Sequence, residues 1–345
     1  MGIHQEIFEQ PSRLDQLLTN KRSQAEEIAR VIRRAGVRYA FLAARGTSDN
    51  AGRYANYLWG AHNRIPLALA TPSLFTYYQQ PPRLDGALVI CISQSGKSPD
   101  IVSVLEEGKR QGCLTLALTN AVDSPLAQAA DLVLDIQAGT EAAVAATKTY
   151  TCELLAVAML STALQENEVH WTELHAVPDF ARQVLLLDQS IAQMAQRYRY
   201  MQRCVVLGRG FNYATAFEWS LKLKEMTYVA AEPYSSADFL HGPIALIETG
   251  FPVMAVAPLG KVFSSMEEVL IQVRRKQGAE LVVISDTNQA LELAQTPIPL
   301  PGGIPEWLTP IIGIIPAQLF AYHLTCVKGY NPDSPRLIHK VTETH

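Results

Sequence analysis

The sequence predicts an α/β protein built as two tandem domains, each a doubly wound, mostly parallel sheet flanked by helices. Three observations predict this. Short, continuously apolar runs alternate with helical stretches, and such runs suit strands covered on both faces, as in parallel sheets. Their order and spacing recur in the second half of the chain, which reads as a duplication. Finally, 48% of the 345 residues are apolar and 18% charged, enough for a sizeable core and unlike a disordered chain.

The elements follow in order. Residues 14–34 read as an amphipathic helix, with Leu14, Leu17, Leu18, Ile28, Val31 and Ile32 at helical spacing, and Gly36 ends it. The run 39–44 is a strand stopping at Gly46, 51–59 is helical, and 66–70 is a second strand. The run 87–92 is a third strand, followed by a helix over 99–111 closed by Gly112. Strands at 114–118 and 132–136 complete the half. The pattern then returns: 204–210 mirrors 40–46, 252–257 mirrors the strand before Ser93, and 281–285 mirrors the strand at Leu114. Helical stretches at 148–164 and 177–198 join the halves, and 214–229 forms another helix. The polar run Gln165-Glu166-Asn167-Glu168 marks the expected boundary. The expected division is thus 1–165, 166–325, and a tail over 326–345.

Several classes are disfavoured. The net charge of −4 offers no basic excess for a nucleic-acid partner. Five scattered cysteines without a CxxC pair read as reduced thiols of a cytoplasmic protein. The eight histidines show no metal-binding spacing, so neither metal nor cofactor is expected. The start lacks the build of a signal peptide. The apolar window 307–324 is broken by Pro310, Gly313 and Pro316 and carries Gln318 and His323, which suits a buried core helix rather than a membrane span.

The chemistry concentrates in a few windows. In Ser93-Gln94-Ser95-Gly96-Lys97-Ser98-Pro99, a strand ends, hydroxyl residues crowd a turn, and a helix begins with Ser98 as its cap. A helix N-terminus offers unpaired N–H groups to an anion, and Gly96 allows close backbone approach. An ordinary capped turn reads the same way. Arg45-Gly46-Thr47-Ser48 ends the first strand where the same crevice should open, although a simple turn is the favoured reading of this window alone. Glu218, Lys222 and Glu225 share one helix face, either as a solvated stripe or as a carboxylate–ammonium pair able to move a proton. His241 precedes Gly242-Pro243 and so belongs on a loop, structural or proton-carrying. Lys340 lies near apolar Ile338 and Val341, and an amine partly withdrawn from water suits a Schiff base.

Taken together these segments resemble the sugar isomerase (SIS) family. Within it they are similar to the isomerase half of glutamine–fructose-6-phosphate aminotransferase and to the stand-alone glucosamine-6-phosphate deaminases. The resemblance runs nearly end to end. Glu6-Ile7-Phe8-Glu9-Gln10-Pro11 matches the opening motif of that half. Gly46-Thr47-Ser48, Ser93-Gln94-Ser95-Gly96 and Ala138-Gly139-Thr140-Glu141 follow in order. So do Ala145-Ala146-Thr147-Lys148, Leu221-Lys222-Leu223-Lys224-Glu225, His241-Gly242-Pro243 and Pro335-Arg336 with Lys340.

The resemblance implies roles. Ser48, Ser93, Gln94, Ser95 and Ser98, with Gly46, Thr47 and Ala146 beside them, would bind the phosphate and nearby hydroxyls of a sugar phosphate. Glu225 would move a proton between C1 and C2, Lys222 would support it, and His241 would open the sugar ring. Lys340 would lie at the carbonyl carbon, where the family can form an imine. In the family the site is shared by two subunits, so a homodimer is implied. Three positions depart from the synthase pattern: Ala146 replaces a serine, Lys97 a glutamate, and Arg45 often a cysteine. The length and the lack of a cysteine after Met1 lead us to expect no glutaminase domain. The expected reaction is deamination of glucosamine 6-phosphate to fructose 6-phosphate and ammonia, with no metal or redox cofactor. Another amino-sugar phosphate, ammonia-dependent synthesis in reverse, or a non-catalytic sugar-phosphate sensor remain open alternatives.

Overall fold

The structure, a computed structural model, describes residues 2–340. The last part of the expected tail, 341–345, lies outside the described residues. The chain forms two compact units, each discontinuous in sequence. The first-sheet unit comprises Glu9–Glu141 and Lys148–Ala176 with His339 and Lys340; the second-sheet unit comprises residues 2–8, Ala142–Thr147 and Val177–Ile338. Glu168–His175 is a helix that packs on the helices Gln10–Ala35 and Lys148–Gln165, so the first-sheet unit runs on past the polar stretch at 165–168.

Ten strands are described: β1 (Tyr39–Ala43), β2 (Leu67–Leu69), β3 (Ala87–Ser93), β4 (Leu114–Thr119), β5 (Leu132–Asp135), β6 (Arg203–Gly208), β7 (Ala230–Ser235), β8 (Pro252–Val256), β9 (Glu280–Ser285) and β10 (Thr296–Pro299). They form two parallel five-stranded sheets, ordered β2-β1-β3-β4-β5 and β10-β9-β8-β6-β7. Counted within each half, the two orders are identical. The duplicated α/β fold expected from the sequence is therefore present.

In the first-sheet unit every residue of β3 is buried, as its unbroken apolar run requires. On one face Phe41, Val89 and Ala117 pack with Ile101, Val104 and Leu105 of the helix Pro99–Arg110. The helix Lys148–Gln165 is buried along nearly its whole length and packs against Gln10–Ala35 and Gly46–Leu58. Gly36 closes Gln10–Ala35 at φ +60°, donating its N–H to the Arg33 carbonyl.

In the second-sheet unit Val205, Leu207, Val253 and Val283 meet Met266, Leu270 and Val273 of the helix Phe263–Arg275. The helix Thr309–Val327 is the one described helix long and apolar enough to cross a membrane, and most of it is buried inside the unit. Phe320 on it packs edge-on against Tyr198 and Trp219.

Three expectations need correction. The strands β7 and β10 were absent from the sequence reading because Pro233, Pro297 and Pro299 fall within them. Both are edge strands, where a missing N–H costs no ladder bond. The expected helix over 177–198 is two helices, Val177–Leu185 and Asp188–Ala195, because Leu186 and Leu187 close back onto Gln183 and Val184 in a tight turn. The helix expected over 214–229 is α-helical only over Tyr213–Lys222, then widens into a π turn over Leu223–Thr227.

Gly208 ends β6, and a Cβ there would lie 2.2 Å from the Asn212 carbonyl oxygen. Backbone cannot rotate out of the way as a side chain can. Gly208→Ala is expected to lose about 1–3 kcal/mol of stability, read as a lower denaturant midpoint at unchanged m-value. A midpoint equal to that of the parent would show that the turn yields.

Candidate active site

In a sheet of order 2-1-3-4-5 the winding reverses between the first and third strands, and a crevice opens at their carboxyl ends. In the first-sheet unit the two segments at this point are 44–48, after β1, and 93–98, after β3. Ser93 Oγ accepts the Gly96 N–H at 3.1 Å, and Ser95 Oγ accepts the Lys97 N–H at 3.4 Å. Each hydroxyl keeps an O–H to donate. Gly96 has φ +62°, and a Cβ on it would lie 2.0 Å from Ser124 Oγ, so the turn requires glycine.

Ser98 occupies the N-cap position, but its hydroxyl caps nothing. Pro99 has no N–H, and the Ile101 N–H is already taken by the Asp100 carboxylate at 2.9 Å and the Ser98 carbonyl at 3.1 Å. This corrects the expectation of a side-chain cap and leaves the Ser98 hydroxyl uncommitted by the helix.

Gly46, at φ +53°, starts the helix Gly46–Leu58, with Thr47 and Ser48 in its first turn. Ser48 Oγ donates to Glu153 at 2.7 Å, and Glu153 is fully buried. Arg45 places both Nε and Nη2 at 2.7 Å from one oxygen of fully buried Asp100. The residue that departs from the family pattern thus neutralises a carboxylate in the first turn of the helix Pro99–Arg110.

Lys340 belongs to the same unit. Its ammonium donates to Glu141 at 2.8 Å; the lysine side chain is 23% exposed and Glu141 is fully enclosed. The expected partial burial of Lys340 is present. Glu141 also accepts from the Thr149 N–H at 3.2 Å and the Thr149 hydroxyl at 2.8 Å. Gln94, Thr140 and Glu141 line an open cleft of about 530 Å³ with Arg13, Asn120 and Asp135.

The second-sheet unit holds the other predicted residues. Lys222 is 1% exposed and sits 2.6 Å from Glu225 and 3.3 Å from Glu218. Burial works against its charge, but the Glu218 and Glu225 carboxylates more than offset this and hold its pKa above that of an ordinary lysine. Lys222 is therefore a fixed ammonium rather than a base. Glu225 lies in the π turn with its side chain 25% exposed, so its carboxylate has an outlet. The next residue but two, Tyr228, has φ +58°, and the Arg336 guanidinium stacks 3.7 Å from its ring centroid. His241 ends the short helix Ser236–Leu240 on an exposed turn before Gly242. Half-buried Ala146 lies in a segment whose Ala142 N–H is held by Glu6 at 2.5 Å.

The crevice of the second sheet is built differently. At the turn after β8, the Leu259 N–H is taken by Asp286 at 2.7 Å, and a Cβ on Gly260 would lie 2.2 Å from the Glu306 carboxyl carbon. Two carboxylates occupy the place that the serine cluster holds in the first sheet, which disfavours an anion there.

Of the residues predicted from sequence, Ser48, Ser93, Gln94, Ser95 and Ser98 lie in the first-sheet unit together with Lys340, which sequence reasoning groups with Lys222, Glu225 and His241; those three lie in the second-sheet unit together with Ala146, which sequence reasoning groups with the serines. Sequence reasoning gave no role to Asp100 or Glu153, and it quoted Glu141 only within a motif; the partners Arg45, Ser48 and Lys340 of these three carboxylates lie 55, 105 and 199 residues away.

Comparison with known proteins matches the SIS domain family over residues 35–163 and 199–328. A glutamine–fructose-6-phosphate aminotransferase of Pyrococcus horikoshii is 33% identical over 343 residues, covering 97% of this chain and 56% of that one. The chain thus spans just over half the length of such curated relatives. Among solved structures, the C-terminal domain of the Francisella tularensis glucosamine–fructose-6-phosphate aminotransferase superposes with a TM-score of 0.86 at 28% identity, covering 96% of this chain and 97% of that one. A Thermotoga maritima glucosamine-6-phosphate deaminase shares the fold, with a TM-score of 0.79 at 20% identity over 99% of both chains. With two tandem SIS domains on two parallel sheets, the chain belongs to the SIS family of phosphosugar isomerases.

Proposed function

We propose that this SIS isomerase converts glucosamine 6-phosphate and water to fructose 6-phosphate and ammonia. The observation that carries the reading is the serine turn at the first sheet's winding reversal. It presents three hydroxyls at the start of a helix, and the second sheet has carboxylates at the equivalent place. A phosphate fits the first arrangement and is repelled by the second. The names of the similar chains join fructose 6-phosphate to an isomerisation, which favours a six-carbon 6-phosphate as substrate.

In this reading Ser93, Ser95 and Ser98 donate to the phosphate, with Ser48 and Gln94 on neighbouring hydroxyls and Gly46, Thr47 and Ala146 shaping the approach. His241 opens the ring. Glu225 takes the proton from C2 to give an enolamine and returns it to C1. The product of that transfer is an imine at C2, and water then replaces ammonia there. The fixed ammonium of Lys222 keeps the Glu225 carboxylate oriented between the two carbons. Lys340 serves the carbonyl carbon, with Glu141 as its rest position. His241 is flanked by exposed Leu240 and Leu246, each 44% exposed, which suits a homodimer in which this loop meets a second subunit.

The deciding assay follows ammonia and fructose 6-phosphate from glucosamine 6-phosphate. Glu225→Gln is expected to bind substrate normally and lose about 10²–10⁴-fold in kcat. A sensor would bind tightly without turnover in either form, and unchanged turnover in the variant would remove Glu225 from its role. Ser98→Ala is expected to raise KM roughly tenfold or more, as a hydrogen bond to a charged group is lost, with kcat little changed; an unaltered KM places the phosphate elsewhere.

Lys222→Met leaves the enclosed Glu218 carboxylate without its ammonium and is expected to cost about 3–5 kcal/mol of stability. A lysine whose folded pKa is raised contributes fully below its unfolded value of 10.5 and loses that contribution only as pH rises through the folded one. The deficit should therefore not shrink between about pH 6 and about pH 9. A deficit that vanishes by pH 9 would contradict the fixed charge.

A further inference from the structure

Outside the residues used so far, three side chains from distant parts of the sequence converge on one point of the second-sheet unit. His4 lies on the helix Ile3–Phe8, Asp188 begins the helix Asp188–Ala195, and His323 lies on Thr309–Val327. The two imidazoles both direct Nε2 at the same carboxylate oxygen, Asp188 Oδ1, at 3.0 Å from His4 and 2.7 Å from His323. The three donor atoms all lie within 4.8 Å of one another. We propose that His4, Asp188 and His323 form a binding site for a divalent transition metal ion of the zinc type.

The geometry favours such an ion. Zinc bonds to imidazole nitrogen and carboxylate oxygen at about 2.0–2.2 Å, so tetrahedral donors stand roughly 3.3–3.5 Å apart. Two of the three separations, 3.0 and 2.7 Å, are shorter than this, and the ion needs only to part them slightly. The third closes by a small movement of His4, whose side chain is 37% exposed. Two imidazoles and one carboxylate select zinc, cobalt or nickel over magnesium or calcium, which prefer all-oxygen sites. Partial exposure of all three ligands gives an ion access and leaves a coordination position for water. His4 is held in place by stacking between Phe8 and Tyr322, at 4.8 and 4.7 Å between ring centroids. The Ile3 N–H donates to Asp333 at 2.7 Å, which fixes the start of the same helix.

The site would pin the six-residue helix Ile3–Phe8 to two longer helices of its unit. Glu6 on that short helix holds the N–H groups of Ala142 and Ala143, in the segment that carries Ala146. A bound ion therefore supports that segment as well. The histidine spacing along the chain gave no sign of the site, because its ligands are 184 and 135 residues from Asp188.

The test uses the full chain after chelator treatment, titrated with zinc by calorimetry and with cobalt by absorption. One equivalent is expected to bind, with a rise in thermal midpoint. His4→Ala, Asp188→Asn and His323→Ala are each expected to weaken binding tenfold or more and to abolish the thermal shift. His4→Ala changes a third-exposed residue, so its fold is secure, and its midpoint without metal checks this. Cys326→Ser, which removes the exposed thiol, is expected to bind as the parent does. Absence of saturable binding, or binding lost in Cys326→Ser but kept in His4→Ala and His323→Ala, would overturn the proposal.

Discussion

The handedness of the strand crossovers is the constraint on which the rest of the structure depends. Parallel strands joined through helices must wind with one hand, so a five-stranded sheet that begins near its middle reverses direction once. In the first sheet that reversal falls between β1 and β3. The helices that follow these strands leave to opposite faces, which opens a crevice at the strand ends between them. The segments 44–48 and 93–98 meet there by topology alone, before any side chain is considered. The second sheet has the same order and the same opening between β6 and β8. What separates the halves is chemistry laid on one geometry: a cluster of serine hydroxyls in the first, Asp286 and Glu306 in the second.

The charges in these segments are paired almost wherever they are enclosed. Asp100 is met by Arg45, Glu141 by Lys340, Lys148 by Glu9, and Lys222 by two carboxylates. An enclosed charge without a partner costs several kcal/mol, and removal of one partner leaves that cost exposed. Motifs that are scattered along the chain are thus tied to one another in the fold. Glu9 of the opening motif exists in its position because Lys148, at the start of a buried helix, needs a carboxylate. Arg45 and Asp100 are likewise a unit, so the arginine that departs from the family pattern spends its charge on an enclosed carboxylate and leaves exposed Lys97 as the cation of the serine turn.

How far the sequence could be read follows from the range of the interactions involved. The strand β3 was plain because burial on both faces demands an unbroken apolar run, which needs no knowledge of its neighbours. The strands β7 and β10 were hidden because proline reads as a breaker, and only their place at a sheet edge makes it harmless. The helix face carrying Glu218, Lys222 and Glu225 was legible from spacing, but the π turn that carries Glu225 was not, since a spacing of three and four fits the helix without it. Ser98 was placed correctly and given the wrong bond, because the neighbouring Asp100 takes the amide it was expected to cap. The pairs Arg45–Asp100 and Glu141–Lys340 span 55 and 199 residues, and no local pattern announces them.

The Glu141–Lys340 pair bears both on folding and on the role proposed for Lys340. An amine that attacks a carbonyl must first give up its proton and turn away from its ion-pair partner. For most enclosed pairs that departure strands a carboxylate. Glu141 is different, because the Thr149 N–H and hydroxyl also bond to it at the start of the helix Lys148–Gln165. When the lysine leaves, the carboxylate keeps two hydrogen bonds and the favourable end of a helix dipole. The resting contact is therefore strong enough to hold Lys340 in place and cheap enough to break, which suits the role at the carbonyl carbon proposed for this lysine.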